Sequence, residues 1–502
     1  MKSAHITTVF IANRAEVALR IQATCHARSL RTVAVYTDHD RSLRYVSQAT
    51  MAFQLTGNDF SAYLNQEELI NLALQAGADA VHPGYGFLSE NADFAQRVCD
   101  AGLVWLGPSP EVIRAMGSKE RARLLAIKAA VPVVPGVAIT NLSAAGKQQA
   151  IEAAILIGFP VIIKDPLGGG GKGMRSVMTQ GDFAGAWDAV VAESGKHTKT
   201  TSLIIEKYIL EARHIEVQVA GDGKQVIHLF ERECSLQRRH QKVIEEAPAV
   251  FISEPVRIAL HSAACRLAQA IDYNSIGTVE FVVTPDEQWY FLEMNTRLQV
   301  EHGVTELVTG IDLVDLQITI AQTGLLPTQQ DAVQVRGHAI QCRVYAENPA
   351  QRFMPSTGTI VLLQWPYHQA MRLEQDIHEG LEITPFFDPM IAKILSFGAT
   401  RQQATEVMQA LLSGICLVGI ETNIPLLLGM VRSAFFASGA FHTQLLANMA
   451  LIQSLLVADP VELDDELFAG LAAVLAAMHA ESSAETASAP RAMRGWKSQR
   501  WL

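Results

Sequence analysis

The chain has 502 residues, 49% of them apolar and 18% charged, with a formal net charge of −11. That length predicts two to four domains with real cores, and the acidic balance speaks against nucleic acid, whose phosphates need a basic surface. Cys25, Cys99, Cys234, Cys265, Cys342 and Cys416 form no C-x-x-C pair or metal spacing, so reduced thiols in a cytoplasmic protein are expected.

At the start, "MKSAHITTVFIANRAE", Asn13, Arg14 and Glu16 interrupt the apolar run before it reaches signal-peptide length. "TTVFIAN" then reads as a buried strand and "AEVALRIQATC" as a helix with Val17, Ala18, Ile21 and Cys25 on one side. "RTVAVYT" is the next strand. A helix opens at Asn65 with an N-x-x-E capping pattern to Glu68 and stops at Gly77, and "ADAVHPGYG" returns to a strand and a glycine-punctuated loop. This βαβα order predicts a parallel sheet covered by helices over 1–117.

A helical connector, "SKERARLLAIKAA", lies within 118–132, and a compact piece over 133–202 holds "PLGGGGKGMR". From Leu203 the texture changes to paired strands. In "HIEVQV", His214, Glu216 and Gln218 share one face, and "GDGK" at Gly221–Lys224 turns the chain into an antiparallel hairpin. This region is read as 203–448. The remainder, 449–502, reads as a helix from about Asp464, a small-residue linker "ESSAETASAP" and a basic end. The longest apolar stretch, Leu467 to Met478, is shorter than the roughly 20 residues a bilayer needs, so no membrane span is expected.

The glycine run carries the first chemical signal. It fails the P-loop pattern because Gly173 follows Lys172, and it meets the dinucleotide pattern only formally, since "MRSVMT" reads as a strand where a helix is required. The unit is therefore strand, glycine loop, strand: a flap whose bare N–H groups can wrap phosphate oxygens. Lys164 ends the apolar run "VII" and needs an anionic partner, either a polyphosphate or a protein carboxylate.

The second signal is "TVEFVVTPDEQWYFLEMN". Strands Thr278–Thr284 and Trp289–Asn295 joined by a four-residue turn place Thr284 opposite Trp289 and hence Glu280 opposite Glu293. Like charges so placed are destabilising. Three remedies are open: one carboxyl stays protonated, a lysine or arginine intervenes, or a divalent cation bridges them. Asn295 adds a third oxygen on the same face, a donor set suited to Mg²⁺ or Mn²⁺ with substrate phosphates. Flap, lysine and paired carboxylates together point to ATP with Mg²⁺.

These residues lie in strings that resemble biotin carboxylase, an ATP-grasp ligase, over about residues 5–448: "IANRAEVALR", "HPGYGFLSEN", "MGSKERAR", "VIIKDPLGGGGKGMR", "EKYILEARHIEVQV", "ERECSLQRRHQKVIEEAPA", "GTVEFVV", "FLEMNTRLQVEHGVTELVTG", "RGHAIQCRVYAEN" and "FFDPMIAKI". The resemblance implies an α/β fold: a Rossmann-like N-terminal domain, an ATP-grasp core with a mobile glycine-rich lid, and a C-terminal mixed or antiparallel sheet domain. It implies that Lys119, Lys164, Met174 and Gly168, Gly169, Gly170 and Gly171 hold ATP. Glu206, Lys207 and Ile209 would line the adenine pocket, and His214, Gln237 and His240 would surround the ribose and phosphates. Glu280, Glu293 and Asn295 would hold the metal. Arg297, Gln299, the Val300 backbone and Lys242 would hold bicarbonate, with Glu301 as general base and Arg343 stabilising the enolate of biotin.

The partners it implies are a biotin carboxyl carrier protein, because no Met-Lys-Met string occurs, and a carboxyltransferase subunit of an acetyl-CoA-type carboxylase. A homodimer through Arg20 and Arg372 is a further expectation. A non-catalytic nucleotide-binding subunit is the alternative. Three departures from the family pattern stand out: Ala15 in place of glycine, Asp165-Pro166-Leu167 before the flap, and Gly303 in place of proline, which is expected to loosen the loop carrying Glu301.

Overall fold

Strand β1 (Thr8–Ile11) sends Val9 and Ile11 to one face and Phe10 to the other, and both faces are covered. It sits at the centre of a five-stranded parallel sheet with β2 (Arg31–Tyr36), β3 (Met51–Gln54), β4 (Ala80–His82) and β5 (Val104–Trp105), in the order β3-β2-β1-β4-β5. The helix Ala15–Ala27 buries Val17, Ala18, Ile21 and Cys25 against it, as the spacing predicts. The helix Gln66–Gln75 is capped as expected, Asn65 accepting from the Glu68 N–H and donating to Glu68 Oε2. The computed structural model describes residues 5–166, 173–197 and 202–456. Gly168–Gly171, the helix read from Asp464 and the linker beyond it lie outside these described residues. Among the described residues no helix is long and apolar enough to cross a membrane.

Ala15 opens the first helix with φ of +52°, a left-handed conformation in which a Cβ crowds the following carbonyl. Relief of that strain exceeds the extra freedom glycine gains in the unfolded chain. Ala15→Gly is therefore expected to raise stability by about 0.5–1 kcal/mol, read as a higher urea midpoint at constant m.

A four-stranded antiparallel sheet follows: β6 (Gly136–Ile139), β7 (Val161–Lys164), β8 (Met174–Val177) and β9 (Leu203–Lys207), ordered β6-β9-β7-β8. The strand–flap–strand reading holds, with β7 and β8 directly paired and the Asp165 N–H closing the base of the loop on Gly173 O at 2.9 Å. The boundary read between 202 and 203 falls inside this sheet, because β9 is one of its two inner strands and carries Leu203 and Ile205 into its core.

The largest sheet has eight antiparallel strands: β10 (Arg213–Gly221), β11 (Val226–Arg238), β12 (Gln241–Ala247), β13 (Ile276–Val283), β14 (Trp289–Asn295) and β15 (His338–Tyr345), then Met390–Gly398 and Met371–Gln375. Side chains alternate across a strand, and this parity decides the two faces. Ile215, Val217, Val219, Val279 and Phe281 pack beneath the helix Glu254–Ala270. The opposite parity holds His214, Glu216, Gln218 and Glu280, all buried although polar. The helix His302–Thr309 lies against β11, β12 and β15. Gly303 sits in its first turn, where an added Cβ would come 2.6 Å from Leu395 Cδ2. The residue expected in a loosened loop is thus part of a helix, and a side chain there would have to displace the end of the Leu395 side chain.

Candidate active site

Register fixes a row of charges across four strands: Glu293 on β14 faces Glu280 on β13, which faces Glu216 on β10, which faces Arg232 on β11. Three neighbouring carboxylates in low dielectric require cations. Arg232, fully buried, donates to Glu216 Oε1 (2.5 Å), Gln218 Oε1 (2.8 Å), Thr278 Oγ1 (2.9 Å) and Thr305 Oγ1 (2.9 Å). Lys242 Nζ pairs with Glu216, with Glu280 Oε1 at 2.8 Å and with Glu301 Oε1 at 2.6 Å. Burial opposes ionisation of all four groups. The mutual attraction outweighs it, holding the Glu216, Glu280 and Glu301 carboxyls below their usual range and raising Lys242 well above its own. His214 Nε2 stands 3.2 Å from Glu280 Oε2. Burial disfavours its imidazolium, but Glu280 wins and lifts the pKa to about 9.

A bulge makes this convergence possible. Residues 242 and 245 have opposite parity in a regular strand, yet Lys242 reaches Glu301 Oε1 while Glu245 accepts from Arg343 Nε and from Gln341 Nε2 (3.1 Å). The pairing slips by one between Leu236–Ile244 and Gln237–Lys242, and the extra residue turns both side chains to the same face. Arg343 Nη2 then donates to Glu301 Oε2 at 2.9 Å, so Glu301 is gripped by a cation on each oxygen.

The stretch after β14 completes the site. Asn295 Nδ2 donates to Glu280 Oε1 at 2.8 Å, and Gln299 Nε2 to the same oxygen at 3.3 Å. Arg297 donates to Asn295 Oδ1 and Gln299 Oε1 (both 2.9 Å) and reaches across to Glu90 Oε2 of the first domain at 3.0 Å. Val300 O accepts from the buried Lys393 Nζ at 3.0 Å.

The Glu280–Glu293 pairing is present, but the route to it needs correction. Val283, not Thr284, faces Trp289, and a one-residue irregularity after Glu280 restores the expected partner. The remedies also divide between the two. Lys242 and His214 offset Glu280, whereas burial and then Glu280 and Glu90 push the Glu293 carboxyl up, against the weaker pull of Lys119 and Lys242. A buried and a half-buried carboxylate on facing strands, the outer one poorly compensated, with an amide oxygen nearby, fit a divalent cation.

The nucleotide-side residues are more dispersed. Lys164 takes the protein-carboxylate option, its Nζ 2.5 Å from Glu206 Oε2, and Met174 is its partner on β8. Lys119 feels Lys164, Asp165, Glu206 and Glu293, and burial lowers its pKa. Lys207 points its Nζ at the carbonyls of Gly158 and Phe159, and Ile209 O accepts from Gln444 Nε2 at 3.1 Å. Gln237 donates to Cys234 O. His240 shares with Arg239 a two-residue turn in which both have positive φ, a strained geometry that non-glycine residues adopt at a cost. Arg20 and Arg372 both pair with Glu306 and line a cavity of about 340 Å³ with Asp312.

Sequence reasoning missed Glu216, Arg232, Glu245, Glu90 and Lys393 as members of this network. Only Glu216 carried a signal, sharing the polar face with His214. The others depend on bulges or on contacts between distant segments.

A small four-stranded sheet whose β7 and β8 flank the glycine-rich segment, together with an antiparallel sheet carrying paired acidic residues, is the arrangement of an ATP-grasp protein. Residues 118–329 match the "Carbamoyl-phosphate synthase L chain, ATP binding domain" family, 5–113 the biotin carboxylase N-terminal domain and 341–448 the biotin carboxylase C-terminal domain. Biotin carboxylase 2 of Bacillus subtilis (strain 168) is 44% identical over 442 residues, 88% of this chain and 99% of that protein. The mitochondrial methylcrotonoyl-CoA carboxylase subunit alpha of Dictyostelium discoideum is 39% identical over 450 residues, 88% of this chain and 63% of that protein. The biotin carboxylase domain dimer of Hydrogenobacter thermophilus 2-oxoglutarate carboxylase, solved with MgADP, ADP and bicarbonate, superposes with a TM-score of 0.85 at 38% identity, covering 89% of this chain and 98% of that one. The chain belongs to the biotin carboxylase family and is an ATP-dependent ligase.

Proposed function

We propose that this enzyme carboxylates biotin presented by a carrier protein, using ATP and bicarbonate, as the biotin carboxylase component of a multi-subunit acyl-CoA carboxylase. The observation that carries the reading is Glu301, ionised and buried between Lys242 and Arg343. Being already deprotonated, it is ready to accept the bicarbonate proton. Arg297, Gln299, the Val300 backbone and Lys242 would hold the anion beside it. A carbonate oxygen then attacks the γ-phosphorus of ATP, ADP leaves, and carboxyphosphate forms. Its breakdown gives CO₂ and phosphate. Phosphate takes the proton of the biotin ureido nitrogen, Arg343 stabilises the resulting enolate, and the nitrogen attacks CO₂. Such clamping of developing charge by fixed cations is what promotes phosphoryl transfer.

Glu280, Glu293 and Asn295 would hold Mg²⁺ or Mn²⁺, which supplies charge neutralisation at the ATP phosphates. Lys119, Lys164, Met174, the glycine flap, Glu206, Lys207, Ile209, His214, Gln237 and His240 would bind the nucleotide. The bicarbonate and MgADP in the Hydrogenobacter thermophilus structure support this reading. Arg20 and Arg372 are proposed as contacts of a homodimer, and a carboxyltransferase as the downstream partner. Phosphate release from MgATP should depend on bicarbonate and rise with free biotin. Turnover that is independent of bicarbonate would refute the proposal.

A further inference from the structure

Lys393 has no place in the chemistry above, yet it is fully buried in the strand Met390–Gly398. Its cross-strand neighbours are Arg343 on β15 and Glu374 on the strand Met371–Gln375. A lysine beside an arginine in a sheet is repulsive, and burying an ammonium is costly unless it is paired. A methionine would fill the same volume without either cost. Lys393 Nζ donates to Val300 O at 3.0 Å and forms ion pairs with Glu374 Oε2 at 2.6 Å and Glu16 Oε2 at 3.4 Å, with the Tyr85 ring centroid 5.3 Å away.

Two of these contacts balance charge. The third does not, because a carbonyl carries none. That carbonyl belongs to the peptide joining Val300 to Glu301, directly before the helix His302–Thr309, where Glu301 adopts φ −86° and ψ 12°. Val304 N–H bonds Glu301 O at 3.3 Å and His302 Nδ1 lies 2.7 Å from Gln299 O, holding the far side of the same turn.

We infer that Lys393 is a positioning residue for the bicarbonate half-reaction: its ammonium, anchored by Glu374 and Glu16, locks the Val300–Glu301 peptide plane and so aims the Glu301 carboxylate. The inference rests on Glu301 being the base. Arg343 fixes the carboxylate end of Glu301 and Lys393 fixes its backbone end, so losing the latter leaves binding of ATP intact and misplaces the proton acceptor.

The test compares the parent enzyme with Lys393→Met, the double variant Lys393→Met/Glu374→Met and Glu301→Gln. The double variant removes both members of the closest ion pair and leaves Arg372 and Arg20, which Glu374 also contacts, to Glu306; by relieving the carboxylate stranded in the single variant it keeps the test alive if that variant does not fold. With a parental thermal transition, the double variant should show kcat/KM for bicarbonate lowered by about 10–100-fold and KM for ATP within twofold, the size of effect a misplacement near 1 Å produces. If stability alone were at stake, restoring the thermal transition would also restore kcat/KM for bicarbonate to within twofold, and that result overturns the inference. If Glu301→Gln keeps parental turnover, the reading of Glu301 as base falls, and the inference with it. If Glu301→Gln is inactive and the Lys393 variants are not impaired, only the inference falls.

Discussion

Glu301→Gln is expected to lower kcat for bicarbonate-dependent phosphate release by about 10²–10⁴-fold, the usual contribution of a positioned general base. The amide keeps the shape of the carboxylate and an oxygen for Arg343, while Glu245 still neutralises that guanidinium. The fold should therefore survive. The signature is a split between the kinetic constants: the variant removes one negative charge from a pocket meant for an anion, so KM for bicarbonate should stay level or fall while kcat collapses. A variant with kcat within threefold of the parent would show that the carboxylate serves structure alone.

Lys242→Met is expected to be the most damaging single substitution in the site, lowering stability by about 3–5 kcal/mol, because it strands buried carboxylates without their shared cation. Lys242 holds Glu216, Glu280 and Glu301 together; without it Arg232, His214 and Arg343 each touch one of the three, but Arg343 also serves Glu245, so four buried carboxylates share three cations. The pH dependence should also reverse. In the parent these carboxyls lie below their ordinary values, so their contribution is present above the unfolded pKa and is lost as pH falls through the folded one. Without Lys242, burial dominates and raises the folded pKa. The variant then takes up protons to relieve the cluster and loses stability as pH rises. Urea unfolding at pH 5.5 and pH 8 should show the gap between parent and variant widening at the higher pH. A gap that is constant or shrinks would mean that the three carboxylates do not share this cation.

Much of this was readable in the chain because strand parity is local. The alternation in "HIEVQV" put His214, Glu216 and Gln218 on one face, and the hairpin pattern put Glu280 against Glu293. The second inference reached the right pair through an imperfect register, because the irregularity after Glu280 compensates for the one-residue difference at the turn. In β12 the corresponding slip changes the outcome: simple alternation separates Lys242 from Glu245, and the bulge unites them. Whether a strand will bulge depends on neighbours far away in sequence, so no window of residues reveals it.

The sequence by itself determined the family, the parallel first sheet, the strand–loop–strand unit at the glycines, the acidic pair and the position of Glu301, since each follows from local spacing, parity or long matching strings. Only the tertiary structure decided which cation serves which carboxylate: Lys164 goes to Glu206, Lys242 to three glutamates at once, Arg297 to Glu90 and Lys393 to the peptide before Glu301. The reason is electrostatic. In water any of these pairings would be worth little, but inside the sheet a charge is stable only beside the partner that packing brings within about 3 Å, and packing joins residues separated by up to hundreds of positions.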